Sequence, residues 1–153
     1  MKRIAVLLLA LSLLLMPAAA EGLPQYVTDF VTAYNSYAKA FAVQPLPFEG
    51  WQDTGVNYKL SIGEASISFH NMAGNCFSTI IIPSQDANLD FLAVCACLSA
   101  AVRGDSPDNY ADIMIAYFLL RNAKPGEKVE YTSSGGLMLF YCDEDLFLFG
   151  VSN

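Results

Sequence analysis

The sequence predicts an α+β fold: a mainly antiparallel sheet with three helices, in the order α-βββ-αα-βββ. Three observations carry this. Apolar residues recur at helical spacing in three stretches, they alternate or run continuously over short stretches between them, and turns rich in Gly, Pro, Asn and Asp separate the two kinds. The strands come in two consecutive runs rather than alternating with helices, which selects an antiparallel sheet with helices packed on it.

The first helix is expected from about Pro24 to Ala42. Pro24 suits a first turn. Val27, Phe30, Val31, Tyr34, Ala38 and Phe41 form one apolar stripe, while Asp29, Thr32, Asn35, Ser36 and Lys39 take the other side. Pro45-Leu46-Pro47 is a stiff joint. Trp51 either starts an edge strand or plugs the end of the core. Val56, Tyr58, Leu60 and Ile62 then alternate with polar residues, as in a half-buried strand. Gly63-Glu64 fits a two-residue hairpin turn, and Ala65, Ile67 and Phe69 continue the alternation. Asn71 to Asn75 make a second turn. Cys76 to Pro83 is a third strand, apolar on both faces at Ile80-Ile81-Ile82, as expected for the middle of a sheet.

The second helix is expected from about Ala87 or Leu89 to Val102, capped by Asp86 or Asn88 and stopped by Gly104. It is apolar nearly all round, which predicts the most buried helix. Ser106-Pro107-Asp108 marks the start of a third helix running to about Asn122. Lys124-Pro125-Gly126 is a turn. Three strands follow: Lys128 to Thr132, Gly136 to Cys142 and Leu146 to Val151. Asp143-Glu144-Asp145 joins the last two, which are apolar on both faces. Helices cover one face of such a hairpin. The other needs separate cover, and a second subunit meeting strands 137–151 is the expected source.

Residues 1–20 carry the pattern of a secretory signal peptide: Met1-Lys2-Arg3, an apolar run from Ile4 to Leu15 and a small-residue exit ending Ala18-Ala19-Ala20. Cleavage is expected between Ala20 and Glu21, leaving one domain over 21–153. The apolar run is shorter than the roughly 20 residues that span a bilayer, so no stable anchor is expected after cleavage. A secreted or extracytoplasmic location follows, and the compact signal is of the bacterial kind. Losing Lys2 and Arg3 leaves six Lys+Arg against fifteen Asp+Glu, a formal charge of −9. So acidic a chain has no electrostatic reason to bind nucleic acid or an anionic membrane.

Catalytic signatures are sparse. Phosphate-cradling loops, nucleophile elbows and zinc-helix motifs are absent from the sequence, and no cofactor or metal is expected. The lone His70 lies across a five-residue turn from Cys76, so a His70–Cys76 dyad is the enzymatic alternative, a small hydrolase or thiol enzyme. A solvent-facing structural histidine accounts for the same residue. Of the four cysteines, Cys95 and Cys97 sit about 200° apart on a helix and suit packing rather than a shared metal. Cys76 and Cys142 lie at strand ends, and a bridge between them is the most natural disulfide. Bridges to the second helix, or no bridge, remain open. The Asp143–Asp145 cluster offers calcium oxygens but lacks the interleaved ligands of a calcium loop. Trp51, Tyr58, Tyr131, Tyr141 and the tyrosines of the first helix, Tyr26, Tyr34 and Tyr37, suit a binding face, though core packing explains most of the aromatic residues. The functional expectation is an exported, non-enzymatic binding or interaction domain for a protein or small ligand, with a homodimer through the last two strands as one form.

Overall fold

A computed structural model of the chain describes residues 22–104, 109–122, 126–133 and 136–153. Helix α1 (Gln25–Ala40) leads into strands β1 (Gln52–Asp53), β2 (Tyr58–Ile62), β3 (Ala65–Met72) and β4 (Asn75–Pro83). A 3-10 turn at Ser84–Asp86 precedes helices α2 (Leu89–Arg103) and α3 (Asn109–Arg121). Strands β5 (Lys128–Ser133), β6 (Gly136–Cys142) and β7 (Leu146–Ser152) end the chain. The α+β order is therefore the expected one, with Trp51 followed by a two-residue edge strand.

All seven strands form one antiparallel sheet in the order β1-β2-β3-β4-β7-β6-β5. Each run of strands is a meander, and the two meet where β7 pairs with β4. Crossing from β4 through two helices, the chain enters the far edge at β5 and folds back to the centre. Both edges resist further pairing: β1 is very short, and β5 carries Lys128 and Glu130.

The turns follow from their residues. Ile62 pairs with Ala65, leaving Gly63-Glu64 as a two-residue turn with positive φ at Gly63 alone, the type II′ pattern. Met72 pairs with Asn75, so the second turn is Ala73-Gly74. Both have positive φ, the type I′ pattern that matches strand twist. The expected five-residue turn is thus shorter, because β3 and β4 pair out to Met72 and Asn75. Val56, expected in β2, lies instead in the preceding turn and is exposed. Asn88 caps α2, its side-chain oxygen accepting from Phe91 N at 3.0 Å, and Gly104 ends the helix. The Ser106-Pro107-Asp108 start of α3 lies outside the described residues.

The three helices pack on one face of the sheet. α2 touches α1, α3, β4 and β7, and α3 lies over β5 and β6. This central place explains the all-round apolar sequence of α2, whose residues 95–100 are all buried. The core is continuous: Val27, Phe30 and Tyr34 from α1, Leu92 and Leu98 from α2 and Ile113 from α3 meet Ile67, Ile80, Met138, Phe140, Phe147 and Phe149 from the sheet. Aromatic rings fill its two ends. Phe30 stacks on Phe69 at 4.1 Å with Trp51 edge-on, and Phe140 lies 4.8 Å from Phe149.

Candidate functional site

Among the described residues, the helices cover one face of the sheet and none covers the opposite face. Because side chains alternate along a strand, the register defines that face. Phe77, Thr79 and Ile81 of β4 stand beside Ser152, Gly150 and Leu148 of β7, and Leu139 and Tyr141 of β6 come next. Phe77, Ile81 and Leu137 are 41, 37 and 41 % exposed. A Cβ at Gly150 would meet the ring of Phe77 and the methyl of Thr79 at 3.4 Å, ordinary van der Waals contact, so the Phe77 ring reaches over β7 at this glycine. Small polar residues flank this apolar strip: Ser66 and Ser68 on β3, opposite Ile81 and Thr79. Charges lie at the margins: Lys59 on β2, the Lys128–Glu130 pair at 2.8 Å on β5, and Asp143 just past β6, which accepts from the Tyr141 hydroxyl.

Two concavities lined by described residues lie elsewhere. One, of about 190 Å³, opens at the ends of β2 and β3 and is lined by Tyr26, Asp53, Tyr58, His70 and neighbours. Its polar groups hold the local turn together. Asp53 accepts from Gly55 N at 2.7 Å and from the Tyr58 hydroxyl at 3.1 Å. The Nδ1 of His70 bonds the carbonyl of Val56. A carbonyl only accepts, so this bond places a proton on Nδ1. Burial, then the Asp53 carboxylate, raises the Tyr58 phenol above its ordinary pKa. No hydroxyl or thiol is activated as a nucleophile there. The second concavity, about 160 Å³, is apolar and lies between Tyr34, Val43, Leu46, Ile62, Ile67, Ile80 and Val94. Leu46 is held in its wall by Asn35, whose amide donates to Leu46 O at 2.9 Å and accepts from Leu46 N at 2.7 Å. Sequence periodicity put Asn35 on the solvent side of α1; only the returning loop reveals its role.

The sequence-derived residues fall as follows. His70 pairs with Phe77, and Cys76 with Asn71. His70 and Cys76 therefore project to opposite faces of the sheet, and the expected dyad is not assembled. Burial also raises the Cys76 thiol, which disfavours the thiolate. Nor does the structure bring Cys76 and Cys142 together. Cys142 is level with Phe147, which is level with Ile82, so the two cysteines are some 20 Å apart along the strands. A disulfide needs Cα atoms within about 7 Å, and all four cysteines are free. A place at a strand end does not bring the two together, because Cys76 lies near the β3–β4 turn and Cys142 at the other end of the sheet. Cys95 and Cys97 are buried, and desolvation pushes their thiols up, Cys97 to about 11. Tyr34, buried beside them, is raised for the same reason. The cleavage position, Ala20 and Glu21, lies outside the described residues.

Asp143 in the acidic tip has a structural task. One carboxylate oxygen accepts from Asp145 N at 3.0 Å and Leu146 N at 2.8 Å, and the other from the Tyr141 hydroxyl at 3.1 Å. These bonds hold its carboxyl below the ordinary pKa. Among the described residues, no three His, Cys, Asp or Glu side chains are grouped to hold a metal. No helix among them is long and apolar enough to cross a membrane. A smaller apolar stripe, Ile115, Phe118 and Leu119, is exposed on α3. Comparison with known proteins finds no matching family model, curated protein or solved structure.

Proposed function

We propose that this chain is an exported interaction domain that docks on a protein partner through the uncovered face of its sheet. The observation that carries the reading is the apolar strip over β4, β7 and β6, centred on Ile81, Leu148 and Leu139. Contiguous apolar surface of this kind marks contact sites. Its composition suits a protein contact: large aliphatic and aromatic side chains in the middle, small polar ones beside them and charge at the rim. The concavities support a small-molecule reading less well, being smaller than typical ligand pockets of about 300 Å³ and above. Export rests on the basic start, apolar run and small-residue exit of residues 1–20.

Two measurements test the reading. Mass spectrometry of the protein outside the cytoplasm is expected to find an N-terminus at Glu21; retention inside with Met1 present refutes the export half. A photo-crosslinking amino acid placed at Leu139 is expected to capture a protein in the cell, and the same residue at Thr32, on the exposed side of α1, is not. Equal labelling from both positions, or none from Leu139, refutes docking through the sheet.

A further inference from the structure

We infer that the partner on the uncovered sheet face is a second copy of this chain, packed sheet against sheet. This rests on the proposal that the face is a docking surface, and it names the occupant. The argument starts from charge. The chain has fifteen Asp and Glu residues, and among the described residues the strands place only Glu130 on this face, beside Lys128, with Asp143 at the end of β6 bonded to the Tyr141 hydroxyl and Lys59 at the far side on β2. The central strands β4, β7 and β6 contribute no charged side chain to it. Two acidic copies repel over most of their surfaces. The middle of this face is where they can meet without opposing like charges, and the rim charges, Lys59 and Lys128 against Glu130 and Asp143, balance.

Size agrees. Six of the strands span about 29 Å across and about 20 Å along, a flat footprint of roughly 600 Å². Side-chain relief raises this toward the roughly 800 Å² per partner of a standard interface. Shape agrees as well. Sheets stack face to face about 10 Å apart, with ridges of one entering hollows of the other. Here Ile81, Leu148 and Leu139 make the ridge, and Ser66, Ser68 and Thr79 beside it make the hollow. The dimer would be four layers deep, with helices outside and two sheets within. The α3 stripe of Ile115, Phe118 and Leu119 is the competing surface, but it is one helix wide.

Sedimentation of the purified exported chain from about 1 to about 100 µM, a range that captures micromolar association, tests the pairing. The expected species is a dimer. Ile81→Glu is expected to weaken it at least tenfold, while Ile115→Glu leaves it intact. Should Ile81→Glu not fold, Leu137→Glu at the exposed rim of the same face reads the same contact. A strict monomer across the range overturns the inference, as does a dimer broken by Ile115→Glu and untouched by both sheet variants. The crosslinker at Leu139 separates the two proposals. An adduct of twice the chain mass supports self-pairing. An adduct only with a different protein overturns self-pairing and keeps the docking surface. No protein adduct overturns both.

Discussion

Replacing Asn35 tests whether a single amide fixes the loop after α1. In Pro45-Leu46-Pro47 only Leu46 has a backbone N–H to donate. That N–H and the Leu46 carbonyl are both satisfied by Asn35, at 2.7 and 2.9 Å, while the Leu46 side chain is buried. Asn35→Ala removes both partners at once. Each hydrogen bond contributes about 1 kcal/mol net, and stranding half-buried backbone groups adds to the cost. The expected loss is about 2–3 kcal/mol. With a urea m-value of about 1–3 kcal/mol/M, the unfolding midpoint falls by about 1 M or more at unchanged m. Asn35→Asp keeps the acceptor but turns a carboxylate toward the Leu46 carbonyl. It is expected to destabilise at neutral pH and to recover in acid, when protonation restores a donor. Urea titration followed by circular dichroism measures the midpoint, and hydrogen exchange follows the Leu46 amide. An Asn35→Ala protein within about 0.5 kcal/mol of the parent, with the Leu46 amide still protected, refutes the reasoning.

Further predictions concern the turns and thiols. Ala73 has φ 52° in the type I′ turn, a conformation that costs a non-glycine L-residue about 1–2 kcal/mol. Ala73→Asn, creating the favoured Asn-Gly pair, is expected to stabilise by about 0.5–1 kcal/mol in thermal melts; no gain means the turn is not strained. The Asp143 carboxyl has a lower pKa folded than its ordinary 3.8. Its contribution is therefore present above that value and lost as pH falls through the folded one. Asp143→Ala should cost stability at neutral pH, with the difference shrinking at the acid end of a pH series; a constant difference refutes the assignment. Cys95 and Cys97 are buried and carry raised thiol pKa values. A disulfide-exchange reagent at mild alkaline pH should label Cys76 and Cys142 first and reach the helix pair only as the protein opens. Equal rates for all four would contradict the packing of α2.

What could be read from the sequence was local. Alternation at Tyr58, Leu60 and Ile62 located β2, the Gly63-Glu64 pair located its hairpin, and Asn88 and Gly104 bounded α2. The all-round apolar character of α2 forecast its burial. The continuous apolar runs of β6 and β7 forecast strands with apolar side chains on both faces of the sheet. Each signal lies within a few residues, so backbone periodicity or turn chemistry suffices to read it.

Tertiary structure decided which distant segments meet. Inserting β7 between β4 and β6 places the apolar strip at the sheet centre, and no local pattern specifies that order. The same register separates Cys76 from Cys142 and sends His70 and Cys76 to opposite faces. Sequence distance could place His70 near Cys76 across a turn, but alternation along paired strands decides which way each points. Asn35 makes the general point. By periodicity it is a polar residue on the outer side of α1, and by contact it is the clamp on Leu46. Spacing along a chain determines the face a residue occupies; what comes to rest against that face depends on the path of the whole chain.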